Sequence, residues 1–460
     1  MTLIKSISGI RGTIGGKPGD SLSPVDIVYF TDAFGTWILK RQQNRKTTIV
    51  IGRDGRPTGK MVSSFVVHTL HGLGIDVTDL GMVTTPTVEI AVTGLKSSGG
   101  IIITASHNPA NWNALKLLNE KGEFLSASDG LEILEIASTE DFNFAVYDKC
   151  GTIVNDDSWG QKHINQVINL DLVDINAIKK ASFTVAVDCI NSVGGIILPK
   201  LLKKLGVKKV ILLNAVSDGN FTHNPEPLPE HLIDISKTVI NERADVGFVV
   251  DPDVDRLAII CEDGTMFGEE YTLVSVADYV LKRKKGNTVS NMSSTRALKD
   301  ITELHGGSYF SSAVGEVNVV EEMKKRKAVI GGEGNGGIIY PALHYGRDAL
   351  IGIALFLSHL AKSGTKCSQL RKKYPEYVIA KKKLSLDPAA DIDKILESVK
   401  QHFKNHKIDE RDGMKIENEK GWVHIRKSNT EPIIRIYAEG NSSAEAEKLA
   451  KNVIMIVKNL

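Results

Sequence analysis

Short β-like runs alternate with helical patterns along almost the whole chain, and that alternation narrows the fold more than any single motif does. "TTIVIGRD" (47–54) reads as a strand running into a turn, and "GKMVSSFVVHTLHGL" (59–73) carries apolar residues at helical spacing. "GGIIITAS" (99–106) is strand-like again. Residues 182–213 repeat the scheme with "SFTVAVDC", a glycine-containing turn, "IILPKLLKKLG" and "VKKVILLN". "ADVGFVVDPDVDRLAII" (244–260) is followed by a helix in "EEYTLVSVADYVLKRKKG", a strand in "NTVSNMS", a helix in "STRALKDITELHGG" and a strand in "KAVIGG". Alternation on this scale predicts α/β layers with mixed, largely parallel sheets. The strand–turn–helix–strand module recurs about three times before residue 370. From there the pattern changes to a helix ("PAADIDKILESVKQHF"), strands around a turn in "MKIENEKGWVHIRK" and "PIIRIYAEG", and a final helix ("SAEAEKLAKNVIMIVKNL"), an α+β unit.

Length and charge bound the rest. At roughly 100–200 residues per domain, 460 residues suggest three or four domains. The net charge of +2 offers no broad field for nucleic acid or an anionic membrane. The clusters "LKRKKG" (281–286) and "KKRK" (324–327) end helical segments, where cations complement the helix dipole. The four cysteines, Cys150, Cys189, Cys261 and Cys367, are far apart and form no CxxC, which fits neither a disulfide framework nor a zinc site. No apolar run approaches the ~18–20 residues of a membrane span, and "MTLIKSISGIRG" lacks the apolar core of a secretory signal. A cytoplasmic protein is expected.

Four stretches carry chemistry. In "IIITASHNPANWNALK" (101–116) an apolar strand delivers Ser106, His107, Asn108 and Pro109 at its end. Strand ends are where α/β sheets bind ligands, and Pro109 keeps Asn108 out of the helical region. Ser106 is either a presented functional group or a turn and cap residue. It lacks the GxSxG elbow of acyl-transfer hydrolases. In "VVDPDVDRLAII", Asp251, Asp253 and Asp255 alternate. An extended chain points alternate side chains the same way, so three carboxylates repel unless a cation lies between them, and hard oxygen donors suit Mg²⁺. An EF-hand fails because its sixth position is Arg256, not glycine, and "LAII" continues as a strand. The alternative is a solvated acidic turn, which the apolar flanks oppose.

"IGGEGNGGIIYP" (330–341) matches GxGxxG at Gly332, Gly334 and Gly337, but a strand follows where a dinucleotide fingerprint needs a helix. What remains is a loop bearing Glu333 and Asn335, suited to sugar hydroxyls, or a plain glycine-rich turn. In "HIRKSNTEPIIRIYAE" (424–439), Arg426, Ser428, Asn429, Thr430 and Arg435 crowd donors around one turn. That set holds a phosphate, or is a hairpin with surface arginines.

In this order, "TASHNP", "DPDVDR", "GEGNGG" and "RKSNTEP", with "GIRG" (9–12) and "GRDGR" (52–56), resemble the α-D-phosphohexomutase superfamily over essentially the whole chain. The resemblance implies three similar α/β domains and a C-terminal α+β domain around a central cleft. These are a phosphoserine-loop domain (1–150), a metal domain (151–260), a sugar-specificity domain (261–372) and a phosphate-binding domain (373–460). It implies an isomerase interconverting hexose 6-phosphate and hexose 1-phosphate, with Ser106 carried as phosphoserine. One Mg²⁺ would bind Asp251, Asp253, Asp255 and a phosphoryl oxygen on Ser106. Arg256 and Arg11 would stabilise the moving phosphoryl group, and His107 would bond it. Lys116 matches the family's general acid/base candidate, a role that requires a depressed pKa. Glu333 and Asn335 would read the sugar, and Arg426, Ser428, Asn429, Thr430 and Arg435 would clamp the phosphate left in place. Hexose 1,6-bisphosphate is the implied intermediate and activator.

"TEPIIRIYAEG" is similar to phosphoglucosamine mutases, which points to glucosamine phosphate. Broad phosphomannomutase/phosphoglucomutase activity is the alternative. A sugar-phosphate phosphatase would need a second metal cluster, and none is visible. An inactive sugar-phosphate-binding protein would have lost Ser106 or the aspartates. A small-molecule sugar phosphate is the only partner expected, acting on a monomer or homodimer, with no nucleic acid and no membrane.

Overall fold

The computed structural model describes residues 2–6, 9–42, 46–385, 391–427 and 433–458. It divides into two compact units, residues 1–272 with 335–370, and residues 273–334 with 371–460.

The first unit holds two sheets. One has seven strands: β1 (Ile4–Ser6), β2 (Gly9–Thr13), β3 (Thr48–Arg53), β4 (Asp76–Met82), β5 (Gly99–Ile103), β6 (Trp112–Leu118) and β7 (Ile153–Asn155), in the order β1-β2-β6-β5-β3-β4-β7. β5, β3, β4 and β7 run parallel. β6, β2 and β1 extend the sheet antiparallel beyond β5. Ile101, Ile102 and Ile103 of β5 are at most 1% exposed, so this strand reads apolar on both faces because helices cover both. Helices Pro24–Arg41 and Gly59–Gly72 pack on one face with Phe34, Trp37 and Leu70, while helix Thr85–Leu95 packs on the other with Val88 and Val92.

The second sheet contains β8 (Thr184–Asp188), β9 (Lys209–Leu213), β10 (Val246–Val250) and β11 (Leu257–Cys261), ordered β11-β10-β8-β9. β10 runs parallel to β8 and antiparallel to β11, so the tight connection from β10 to β11 carries the aspartates. Helix Ala349–Ser363 packs in this same unit against helices Trp159–Ile168 and Ile175–Ala181. It is buried on nearly all sides, as its uninterrupted apolar sequence requires.

In the second unit, β12 (Asn287–Asn291) lies between β13 (Tyr309–Ser312) and β14 (Ala328–Glu333), parallel to both. β15 (Gly337–Ile339) belongs to the first unit. The C-terminal part is an antiparallel sheet of β16 (Val378–Ser385), β17 (Lys407–Asp409), β18 (Met414–Asn418), β19 (Gly421–Lys427) and β20 (Ile433–Gly440), ordered β16-β20-β19-β18-β17. Helices Ile392–His402 and Ser443–Lys458 cover it through Val399, Ala450 and Val453. Among the described residues no helix is long and apolar enough to cross a membrane.

Candidate active site

Ser106 follows the C-terminal end of β5 and Asp251 follows the C-terminal end of β10. The Ser106 hydroxyl donates to Asp251 Oδ2 at 2.8 Å. Ser106 has φ 48°, in the left-handed region, and its N–H donates to the Thr104 hydroxyl at 2.9 Å. The loop is held from below by Arg56. Its Nη2 donates to the carbonyls of Ser106 (2.6 Å) and Asn108 (2.7 Å), and its Nη1 to those of Pro109 (2.5 Å) and Trp112 (2.9 Å). Asp54 pairs with Arg56 Nε at 3.1 Å and accepts from the Thr104 hydroxyl at 2.6 Å. A fixed fork of five donors suits this task, and a lysine would not replace it.

The acidic turn is wholly buried, with Asp251, Asp253 and Asp255 all 0% exposed. Val254, between two of them, has φ 62°. A β-branched residue in that region is strained by about 1–3 kcal/mol. The turn is held by Val254 N–H to the Asp251 carbonyl (3.1 Å) and Ala349 N–H to the Val254 carbonyl (3.2 Å). Asp251 Oδ1 accepts from the N–H groups of Asp255 (3.2 Å) and Arg256 (3.1 Å). Asp253 Oδ2 accepts from the Thr85 hydroxyl (2.6 Å) and Lys116 Nζ (2.8 Å), and Asp255 Oδ2 accepts from Arg347 Nη2 (2.7 Å). Thr85 opens helix Thr85–Leu95, whose positive N-terminal end therefore meets Asp253.

These facts decide whether a metal ion fits. The three aspartates offer oxygens within 4.8 Å of one another, and Oδ1 of both Asp253 and Asp255 is buried without a hydrogen-bond partner. Unpaired buried carboxylate oxygens are costly, and an all-oxygen donor set with this charge suits a hard divalent cation. The residues fit.

The charges respond accordingly. Burial, then Asp255 and Asp253, raise the Asp251 carboxyl well above the ordinary range. Burial also opposes the charge on Asp253, but Lys116 and Thr85 outweigh it and hold that group below the ordinary value. Burial and the cations Arg256, Arg347 and Lys116 push His107 down to about 2, so its ring, 3.4 Å from the Ser106 hydroxyl, is neutral. Burial alone would lower the Lys116 pKa, but Asp253 and Asp255 overcome burial and raise it, so with no cation on the aspartates the ammonium is their charged partner.

Ser106, His107, Lys116, Asp251, Asp253 and Asp255 thus converge. Arg256 is buried beside them, its guanidinium 3.8 Å from Glu226. Arg11 lies on β2 directly opposite Ala114 of β6, on the sheet face that Lys116 shares. Asn335 folds onto its own loop, accepting from Gly337 N–H at 3.2 Å. In the second unit, Glu333 accepts from Asn291 Nδ2 (2.8 Å) and Gly315 N–H (3.1 Å). Arg426 and Arg435 sit directly opposite each other on β19 and β20, a like-charge pair that is unfavourable without an anion. Arg426 Nε contacts Asp412 at 2.8 Å. Ser428, Asn429 and Thr430 lie outside the described residues. Sequence reasoning assigned no role to Arg56, Thr85 or Arg347. The "GRDGR" stretch signals Arg56, and nothing in the sequence signals the other two.

Four domain families cover this chain: phosphoglucomutase/phosphomannomutase alpha/beta/alpha domain I over residues 3–144, domain II over 161–264, domain III over 268–377, and the C-terminal domain over 381–455. The chain belongs to the phosphoglucomutase/phosphomannomutase family. It is a phosphohexomutase, an isomerase of the α-D-phosphohexomutase superfamily. A phosphoglucomutase/phosphomannomutase from Thermococcus kodakarensis is 36% identical over 443 residues, covering 95% of this chain and 96% of the relative. A phosphoglucosamine/phosphogalactosamine mutase from Sulfurisphaera tokodaii is 31% identical, covering 98% and 97%. The crystal structure of a phosphoglucomutase/phosphomannomutase family protein from Burkholderia thailandensis superposes with a TM-score of 0.86 at 25% identity, over 99% of this chain and 97% of the other.

Proposed function

We propose that this phosphohexomutase works through phosphoserine 106 and a hexose 1,6-bisphosphate, and that its preferred reaction converts glucosamine 6-phosphate to glucosamine 1-phosphate. The observation that carries the serine route is the Ser106 hydroxyl 2.8 Å from Asp251, beside two further buried aspartates.

A sugar hydroxyl attacks the phosphorus on Ser106. The new sugar O–P bond forms, the Oγ–P bond breaks, and the serine regains a proton. The bisphosphate then returns its other phosphoryl group to Ser106 in the reverse sense. Arg256, Arg11 and neutral His107 hold the moving phosphoryl oxygens. Lys116 supplies or accepts the proton once its aspartate partners are otherwise engaged. A Mg²⁺ held by Asp251, Asp253 and Asp255 would polarise a phosphoryl oxygen and offset the negative charge. Arg426 and Arg435, with Ser428, Asn429 and Thr430, hold the phosphate that is not reacting. Glu333 and Asn335 read the ring hydroxyls.

The amino-sugar preference is supported by "TEPIIRIYAEG" and by the Sulfurisphaera relative's name. The Thermococcus relative favours a second reading, broad use of glucose and mannose phosphates. Parallel kcat/KM values with glucosamine 6-phosphate, glucose 1-phosphate and mannose 1-phosphate, with Mg²⁺ and a trace of bisphosphate, decide between them. A hundredfold preference for the amino sugar supports the first, and comparable rates establish the second. No turnover of any of them by enzyme phosphorylated on Ser106 defeats the serine route.

A further inference from the structure

We propose that Arg347 is the positioning residue that aims Asp255 at a divalent cation, and that position 337 is glycine to make room for it. This rests on the reading of the aspartate turn as a cation site.

Arg347 is placed firmly before it reaches Asp255. Its backbone bridges to Ile339 of β15, and the next residue, Asp348, donates its N–H to the Ile338 carbonyl at 2.9 Å. Asp348 also caps helix Ala349–Ser363 by accepting from Leu350 N–H at 2.7 Å. From this anchored position the guanidinium bonds one oxygen of Asp255, with side chains 10% and 0% exposed. The other oxygen, Oδ1, is buried and unpartnered.

Asp253 shows the same division: Lys116 and Thr85 hold its Oδ2, and its Oδ1 is unpartnered. Each carboxylate is pinned by one oxygen so that the other is presented. Lys116 Nζ lies 3.9 Å from Asp255 Oδ2, outside hydrogen-bond range. It therefore contributes charge to Asp255, whereas the planar guanidinium contributes direction.

Gly337 completes the argument. It is not among the glycines with positive φ, so its backbone does not call for glycine. A Cβ built there would lie 2.3 Å from Arg347 Cδ and 3.0 Å from Cγ. Any side chain at 337 must displace the middle of the arginine stem, and with it the guanidinium on Asp255.

The test is Mn²⁺ titration of the unphosphorylated enzyme, read by electron paramagnetic resonance of free Mn²⁺, with the thermal shift on adding Mg²⁺ as a second readout. The variants are R347M, R347A, G337A, G337A/R347A and D255N. R347M, which keeps the stem and loses the donors, should weaken Mn²⁺ binding about tenfold or more, in the range typical of groups that orient a metal ligand. G337A should do the same in the wild-type background. In the R347A background, where Cγ and Cδ are gone, G337A should add less than a twofold change. Mn²⁺ affinity of R347M within twofold of wild type, while D255N loses binding, overturns the proposal. So does a G337A defect of equal size in both backgrounds. Failure of wild type itself to bind Mn²⁺ defeats the underlying cation reading instead. If R347M does not fold, R347Q carries the same readout.

Discussion

The Ser106 hydroxyl donates to Asp251 at 2.8 Å, tying the loop after β5 to the turn after β10 across 145 residues of sequence. Phosphorylation removes that donor and sets about −1.5 to −2 charges against the carboxylates. Asp251 is already pushed upward by burial and by Asp255 and Asp253. In EDTA the phosphorylated enzyme should therefore melt below the unphosphorylated one. Mg²⁺ should raise the phosphorylated form more and close or reverse the gap. Scanning fluorimetry of both forms checks this, and a phosphorylated form that is the more stable in EDTA would contradict the electrostatic picture.

Arg56 predicts a defect in loop order. It is 1% exposed and holds the carbonyls of Ser106, Asn108, Pro109 and Trp112 while pairing with buried Asp54. Removing one partner of a buried ion pair costs about 3–5 kcal/mol. R56K cannot span four carbonyls, so it should lose activity nearly as fully as R56A, and residues 104–112 should exchange amide hydrogens faster. Protection equal to wild type in R56K would show that the loop stands without the fork.

The alternation of strand and helix in the sequence corresponds to the layered sheets because each buried strand is apolar on both faces, as in β5 and β10. Ser106 and the aspartates stood out because each stretch ends a buried apolar strand, but that the two stretches meet at 2.8 Å was not readable from either. The antiparallel extension through β6 was not legible, since "WNALKLL" has no clean period. Thr85 reaches Asp253 across 168 residues and Arg347 reaches Asp255 across 92, and no local pattern announces such contacts. The raised pKa of Lys116 was also hidden. It depends on two carboxylates that share its pocket only after folding.

A buried cluster at the start of helix Ala349–Ser363 sets a pH dependence of stability. His344 contacts Glu89 at 3.2 Å and Asp348 at 3.3 Å, and Asp348 also contacts His163 at 2.9 Å. Burial disfavours charge on His344, but Asp348 and Glu89 prevail and push it from the ordinary 6.5 up to about 10. The folded state then keeps a proton that the unfolded chain releases above pH 6.5. The stabilisation is complete below that pH and declines as pH rises towards 10, by up to about 1.4 kcal/mol per pH unit. H344Q should be less stable at pH 6 and show a flatter decline between pH 7 and 10 in urea unfolding. A decline of unchanged slope in H344Q would assign it to other groups.

Arg426 and Arg435 face each other across β19 and β20, and Lys383 of β16 lies opposite Arg435 on its other side. Three cations in a row across neighbouring strands repel; Asp412 offsets Arg426 at 2.8 Å, and a bound phosphate would offset the other two. R435A should leave the ligand-free melting temperature unchanged or slightly raised, because repulsion is relieved. It should also abolish most of the thermal stabilisation given by inorganic phosphate, and raise KM for the sugar phosphate more than it lowers kcat. The phosphate effect should shrink with added salt in wild type. If R435A melts several degrees lower and responds to phosphate as wild type does, the arginine is a structural residue of the sheet and the clamp lies elsewhere.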